Sequence, residues 1–177
     1  MSNTLISMAT GHHQIHGAAD HTNVAREFFL PVAVTPPSTG VHDHGGMYGF
    51  AQSLEDLVTD FAYCGMRKVP DDFVSLTHVH VMIISSGTGN LYWAMRTRYA
   101  AAGQSYLTHD AGETAKVATA VTANLVTELP DMSANFASLA SGDWVGAYLV
   151  RYAGDALDTI GANITISGWL FEYIAEQ

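Results

Sequence analysis

A chain of 177 residues with 17 acidic and 7 basic side chains has a formal net charge of −10, which repels phosphate backbones and argues against nucleic-acid binding as a main role. Hydrophobic residues make up 48% and charged residues only 14%, so one core can form without staples while part of the outside is left for contact with other protein. Cys64 is the single cysteine and permits no intramolecular disulfide; no apolar run approaches the roughly 18 residues of a membrane span, and the first residues lack a basic or long apolar signal region, so synthesis in the host cytoplasm with no membrane association is expected.

Residues 1–23 have no core-forming period. His12, His13, His16 and His21 lie there among Gly, Ala, Asn and Thr. The segment reads as an extended arm that orders against a partner, its imidazoles either binding metal or hydrogen-bonding neighbouring subunits until they protonate. One domain is expected over residues 24–177. It opens with a strand at 24–34 that sets Phe28, Leu30 and Val32 against Phe29 and Ala33, and Pro31 suits an edge position. Pro36-Pro37-Ser38-Thr39-Gly40 and Gly45-Gly46 bracket a loop holding His42-Asp43-His44. Residues 53–57 read as one helical turn or as the lead into a strand at 60–69, which ends at the Val69-Pro70-Asp71-Asp72-Phe73 turn.

Residues 76–84 and 91–100 are predicted strands joined in hairpin fashion through 85–90. Their pairing puts Ile83 opposite Trp93 and Val81 opposite Met95 on a core face, and His80 opposite Arg96 and His78 opposite Arg98 on an exposed polar face; a one-residue slip inverts the faces. Residues 112–120 read as coil or short helix, 121–129 as an edge strand and 131–141 as a loop or helical turn. Residues 143–152 and 164–173 are strands dominated by β-branched and aromatic side chains. About eight strands and no strong amphipathic helix predict an all-β fold, an antiparallel β-sandwich of jelly-roll type.

His42 with His44 and His78 with His80 are His-x-His pairs, which a strand points to one side as metal sites in β-barrels require. A cupin-like centre would follow with a Glu, but Tyr48 and Gly49 stand there after the first pair and Ser85 to Gly87 after the second. In a threefold fibre tip, His42 and His44 from each copy would surround one transition-metal ion on the oligomer axis; a solvated Gly-flanked loop is the plainer alternative. Asp110, Asp131, Asp143, Asp155 and Asp158 fall in turn-like segments that a sandwich could gather around Ca²⁺, although turn chemistry alone puts aspartates there. No Gly-x-Ser-x-Gly elbow or phosphate-cradling loop occurs, and Cys64 reads as a buried, inert thiol. No catalytic residue and no resident cofactor are expected. Trp93, Trp144 and Trp169, with eight tyrosines, serve core and interface packing or form a sugar-stacking platform.

Ala19-Asp20-His21-Thr22-Asn23 precedes a strand ending Phe29-Leu30-Pro31. Val69-Pro70-Asp71-Asp72-Phe73, Gly89-Asn90-Leu91-Tyr92-Trp93, Ser141-Gly142-Asp143 to Arg151, Asp158-Thr159 and residues 166–173 follow in order. Over most of residues 19–174 this series resembles the jelly-roll virion structural proteins of phages and environmental viruses. The resemblance implies an oligomeric subunit on the virion surface, as capsid decoration, minor capsid or fibre protein, and supplies no catalytic residues. The expected function is therefore a virion surface protein acting by assembly contacts with copies of itself, as a trimer or symmetric lattice, and with other capsid or tail proteins. A receptor- or glycan-binding module of a fibre tip is the alternative, and a cupin-like metalloenzyme the third reading.

Overall fold

The computed structural model describes residues 23–33 and 51–176. The arm histidines His12, His13, His16 and His21, and the His42–His44 loop, lie outside the described residues. Apolar and polar residues alternate along most strands, and the alternation decides which side of each turns inward. β1 (Val24–Ala33) buries Phe28, Leu30 and Val32 and exposes Phe29. β5 (Phe73–Ser85) buries Val79, Val81 and Ile83, and β6 (Gly89–Ala100) buries Leu91, Trp93 and Met95. β10 (Trp144–Tyr152) contributes Val145 and Leu149, and β11 (Ile164–Ala175) contributes Ile166, Trp169 and Phe171. The shorter strands are β2 (Gln52–Leu54), β3 (Thr59–Cys64), β4 (Arg67–Lys68), β7 (His109–Glu113), β8 (Val117–Val121) and β9 (Val126–Glu128). A 3-10 turn spans Ser133–Phe136, and among the described residues there is no α-helix.

The strands form two layers of one curled sheet. Sheet A runs β1-β11-β5-β9, and sheet B runs β3-β10-β6 with β7 and β8 end to end on the far side of β6. β2 continues the β1 flank of β11, and β4 continues the β3 flank of β10, so among the described residues eleven strands occupy eight positions. All ladders are antiparallel apart from one isolated bridge between Ser85 and Ala123. Taken in chain order, β1, β3, β5, β6, β9, β10 and β11 fall alternately in sheet A and sheet B, which makes the fold an antiparallel β-sandwich of jelly-roll type. The two layers meet through contacts such as Trp169 Nε1–H to Met95 Sδ at 3.4 Å. β1 changes layer at Pro31: residues up to Pro31 pair with β11, while Val32 and Ala33 pair with β3. A residue with no N–H fits that crossing, and its carbonyl accepts Gly65 N–H at 2.8 Å.

The expected hairpin does not form. β5 pairs with β11 and β9, β6 pairs with β10, β7 and β8, and the link between them crosses from one sheet to the other. Val81 and Ile83 therefore face Trp93 and Met95 through the core instead of lying beside them. Each strand has one mainly apolar face, and stacking the two faces buries both, whereas pairing edge to edge would leave the shared face needing another cover. The link is also clamped from outside. A Cβ on Gly87 would lie 2.9 Å from Ala162 Cβ and one on Gly89 2.7 Å from Thr159 O, while Asn90 and Thr159 exchange two hydrogen bonds of 2.8 and 2.9 Å. Three smaller differences follow from local backbone breaks. Residues 60–69 split into β3 and β4 where Gly65 turns toward Pro31. Residues 53–57 end β2 at Leu54, with Leu57 at φ 67°. Residues 112–129 hold the end of β7, all of β8, and β9, the last two separated by Asn124 at φ 63°.

Candidate functional site

The outward residues of β10 begin Trp144, Gly146, Tyr148, each two apart on the solvent side of sheet B. Register fixes their neighbours: Tyr148 lies between Tyr63 of β3 and Arg96 of β6, and Gly146 lies opposite Arg98. Tyr148 packs against Tyr63 at 5.5 Å and Phe61 at 5.6 Å between ring centroids. Because Gly146 has no side chain, the sheet surface is hollow there. Two adjoining depressions of about 420 Å³ share Gly146 and Arg98: one is walled by Tyr63, Tyr148 and Arg96, the other by Trp144, Met66 and Tyr106. Trp144 and Tyr63 are each 43% exposed, Tyr106 62% and Met66 71%. Apolar surface of this kind, contiguous and rimmed by charge, is characteristic of a binding face.

Asp110 on β7 sets the electrostatics. It accepts Arg96 Nε–H and Nη2–H at 2.8 and 2.6 Å and Arg98 Nε–H at 2.9 Å. The Arg96 hydrogen bonds hold its carboxyl well below the usual carboxylate range despite an opposing push from burial, and the same pair raises the Arg96 guanidinium. Arg98 also lies over the Tyr106 ring at 5.3 Å. Among the described residues its Nη groups have no acceptor, so they are available as donors beside the groove. Two planar cations are thus pre-positioned next to exposed rings, which lowers the ordering cost of a ligand. Cys64 also lines the groove; burial pushes its thiol up to about 11 against the opposing pull of Ala147 N–H, which donates to its Sγ at 2.9 Å, so the thiol form dominates at neutral pH.

His78 and His80 lie elsewhere. They point outward from β5 on sheet A, while Arg96 and Arg98 point outward from β6 on sheet B. The single polar face expected from the sequence is two faces on opposite outsides of the sandwich, because β5 and β6 do not pair. Nor do these histidines enter a barrel interior as the cupin-like reading required. Both instead meet Asp131, and the ligand atoms of all three lie within 4.8 Å of one another. The chain brings Asp131 there by running beside β5, with Leu129 N–H bonded to Val81 O at 3.0 Å and Met132 N–H to Val79 O at 2.9 Å. Burial pushes the Asp131 carboxyl up, but the Val79 and Ser133 N–H groups, the Ser133 hydroxyl and His78 outweigh it and bring it down to about 2.

The aspartates expected to converge on Ca²⁺ are dispersed. Asp110 serves the two arginines, Asp131 meets His78, Asp143 accepts Ala140 N–H, Asp155 accepts Leu157 N–H, and Asp158 binds Arg151. Their places follow turn and ion-pair chemistry. Of the tryptophans, Trp93 and Trp169 are buried and Trp144 is exposed. The sequence reading does not single out Gly146, Tyr63 and Tyr148; the every-second-residue series Trp144-x-Gly146-x-Tyr148 is the signal for Gly146 and Tyr148, while Tyr63 joins them only through the pairing of β3 with β10.

No family model matches the chain, and no curated protein matches it. Among solved structures, the carbohydrate-binding module TmCBM61 in complex with β-1,4-galactotriose matches with a TM-score of 0.32 and 10% identity, over 86% of this chain and 88% of that one.

Proposed function

We propose that this protein is a receptor-binding module that engages a glycan through the sheet B groove and acts by contact, without making or breaking bonds. The groove over Gly146 carries this reading. Exposed Trp144 and Tyr63 and half-buried Tyr148 offer flat apolar ring surface to the C–H face of a sugar, and Arg96 and Arg98 offer fixed donors to its hydroxyl or carboxylate oxygens. The test is a glycan array on the full chain followed by calorimetry with the best ligand. Trp144→Ala is expected to weaken that ligand about tenfold or more, ~1.4 kcal/mol. Gly146→Val, whose new side chain has no atom closer than Arg98 O at 4.0 Å to its Cβ, should fill the groove and weaken binding while leaving the melting temperature nearly unchanged. An array with no ligand, or a ligand indifferent to both substitutions, refutes the reading.

The second reading concerns setting. The ordered motif resemblance supports a virion surface location with copies of itself and other capsid or tail proteins as partners. Exposed Leu57, Leu125, Val126 and Leu157 are apolar surface outside the groove that such contacts would cover. Antibody to the chain should decorate purified intact particles. Particles that contain none of the chain would remove the virion setting and leave the groove reading standing.

A further inference from the structure

We propose that His78, His80 and Asp131 form a divalent transition-metal site on the outer face of sheet A, distinct from the sheet B groove. His80 Nδ1 lies 3.0 Å from Leu129 O. A carbonyl only accepts, so Nδ1 carries the proton and Nε2 keeps its lone pair for a ligand. An imidazole bonded by one nitrogen to a carbonyl and free at the other is the arrangement metal-binding histidines use. Asp131 is held as firmly: Oδ1 accepts Val79 N–H at 2.8 Å and Ser133 N–H at 2.9 Å, and Oδ2 accepts the Ser133 hydroxyl at 2.8 Å. Its Oδ2 already stands 3.4 Å from His78 Nδ1, close to the roughly 3.3 Å between two ligands of a tetrahedral ion with bonds near 2.0–2.1 Å.

His78 is the adjustable member: its side chain is 53% exposed and free to turn, while the ligand atoms of the three residues already lie within 4.8 Å of one another. Two imidazoles and one carboxylate suit Zn²⁺ and its first-row neighbours better than Ca²⁺ or Mg²⁺, which prefer all-oxygen shells. The surroundings favour a cation. Register places Glu172 opposite His78 and Glu27 opposite Glu172, so further carboxylates extend along the same outward face. The site joins the segment carrying Asp131 to β5, and a bound ion would cross-link two pieces of chain that are 53 positions apart. Water would complete the coordination, since the site is open to solvent.

The test uses Zn²⁺, with Co²⁺ as its spectroscopic substitute, and the full chain. His12, His13, His16, His21, His42 and His44 are first replaced by Ala together, so that uptake by those histidines does not mask the site. This protein should bind one equivalent by calorimetry and give a tetrahedral visible spectrum with Co²⁺. Adding His78→Ala, which alters an exposed side chain, should weaken Zn²⁺ roughly 10- to 100-fold or more and abolish the spectrum. The Zn²⁺-dependent rise in melting temperature should vanish with it. Should the six-fold variant fail to fold, the otherwise native chain and its His78→Ala/His80→Asn form are compared by equilibrium dialysis, and the latter should hold one equivalent less. Zn²⁺ binding that is absent from the six-fold variant when folded, or unchanged by the His78 and His80 substitutions, overturns the proposal.

Discussion

Arg151→Met is expected to destabilise the fold by about 3–5 kcal/mol, because it removes one partner of a buried ion pair and leaves the other charge uncompensated. Arg151 has the inward parity of β10, where Val145 and Leu149 are core residues, and its side chain is fully buried. Asp158 is its counter-ion, accepting Nε–H at 3.1 Å and Nη2–H at 2.9 Å, with a side chain only 1% exposed. Its donors also reach Ile160 O at 2.7 Å, Ala162 O at 2.8 Å, Glu55 O at 3.3 Å and, as a second and partly exposed carboxylate, Asp56 Oδ1 at 3.4 Å. One guanidinium therefore fastens the β2–β3 link and the β10–β11 link to the end of β10. Asp158 also accepts Tyr92 N–H at 3.1 Å, which ties in β6. Urea unfolding measures the cost. Asp158→Asn should lose a comparable amount, and the Arg151→Met/Asp158→Leu double variant should lose less than the sum of the single changes, since two charges leave together. A loss under about 1 kcal/mol for Arg151→Met would show that the pair is not the clamp described here.

Arg151 also shows how far the sequence could be read. Period-two alternation made β1, β5, β6, β10 and β11 visible as strands, while the end of β7 and most of β8 lie where the sequence reads as coil or short helix, so about eight strands were expected and eleven are found among the described residues. Alternation says which residues share a side and nothing about which strand lies next door. A β5–β6 hairpin and a β5–β6 crossover both need two strands and a Gly-containing link, so the sequence could not separate them. The difference resides in long-range partners: Thr159, Ile160 and Ala162 closing over Gly87 and Gly89. The candidate groove was half legible for the same reason. Trp144 and Tyr148 announce an outward aromatic row once Val145 and Leu149 are taken as core, but Tyr63 and Arg96 join it only through the order β3-β10-β6, in which no two neighbours are consecutive in the chain. His78 and His80 were visible as a pair, and their third partner was not, because Asp131 in isolation is an ordinary turn residue that accepts Ser133 N–H.

Gly168→Ala is expected to cost about 3 kcal/mol or more, from forced contact and an unfavourable backbone conformation acting together. The parity of β11 explains why a glycine is needed. Ile164 and Ile166 face the core, and so do Trp169, Phe171 and Tyr173, but strict alternation from Ile166 would turn Trp169 outward. The chain corrects the mismatch with a bulge, seen as a register shift against β5 between Ile166 and Gly168. Gly168 takes φ 152° there, opposite Pro31 where β1 leaves sheet A. A Cβ would sit 2.3 Å from Leu30 O and 2.6 Å from Phe29 Cζ. The Phe29 ring is 38% exposed and can swing away; the Leu30 carbonyl belongs to a paired strand and cannot. Combining Gly168→Ala with Phe29→Ala should therefore recover only the part of the loss due to the ring, and Gly168→Val should prevent recovery of folded protein at 37 °C. Urea denaturation of the single and double variants separates the two contributions. Full rescue by Phe29→Ala would mean that the backbone at the bulge yields, and that the parity shift placing Trp169 in the core does not depend on glycine.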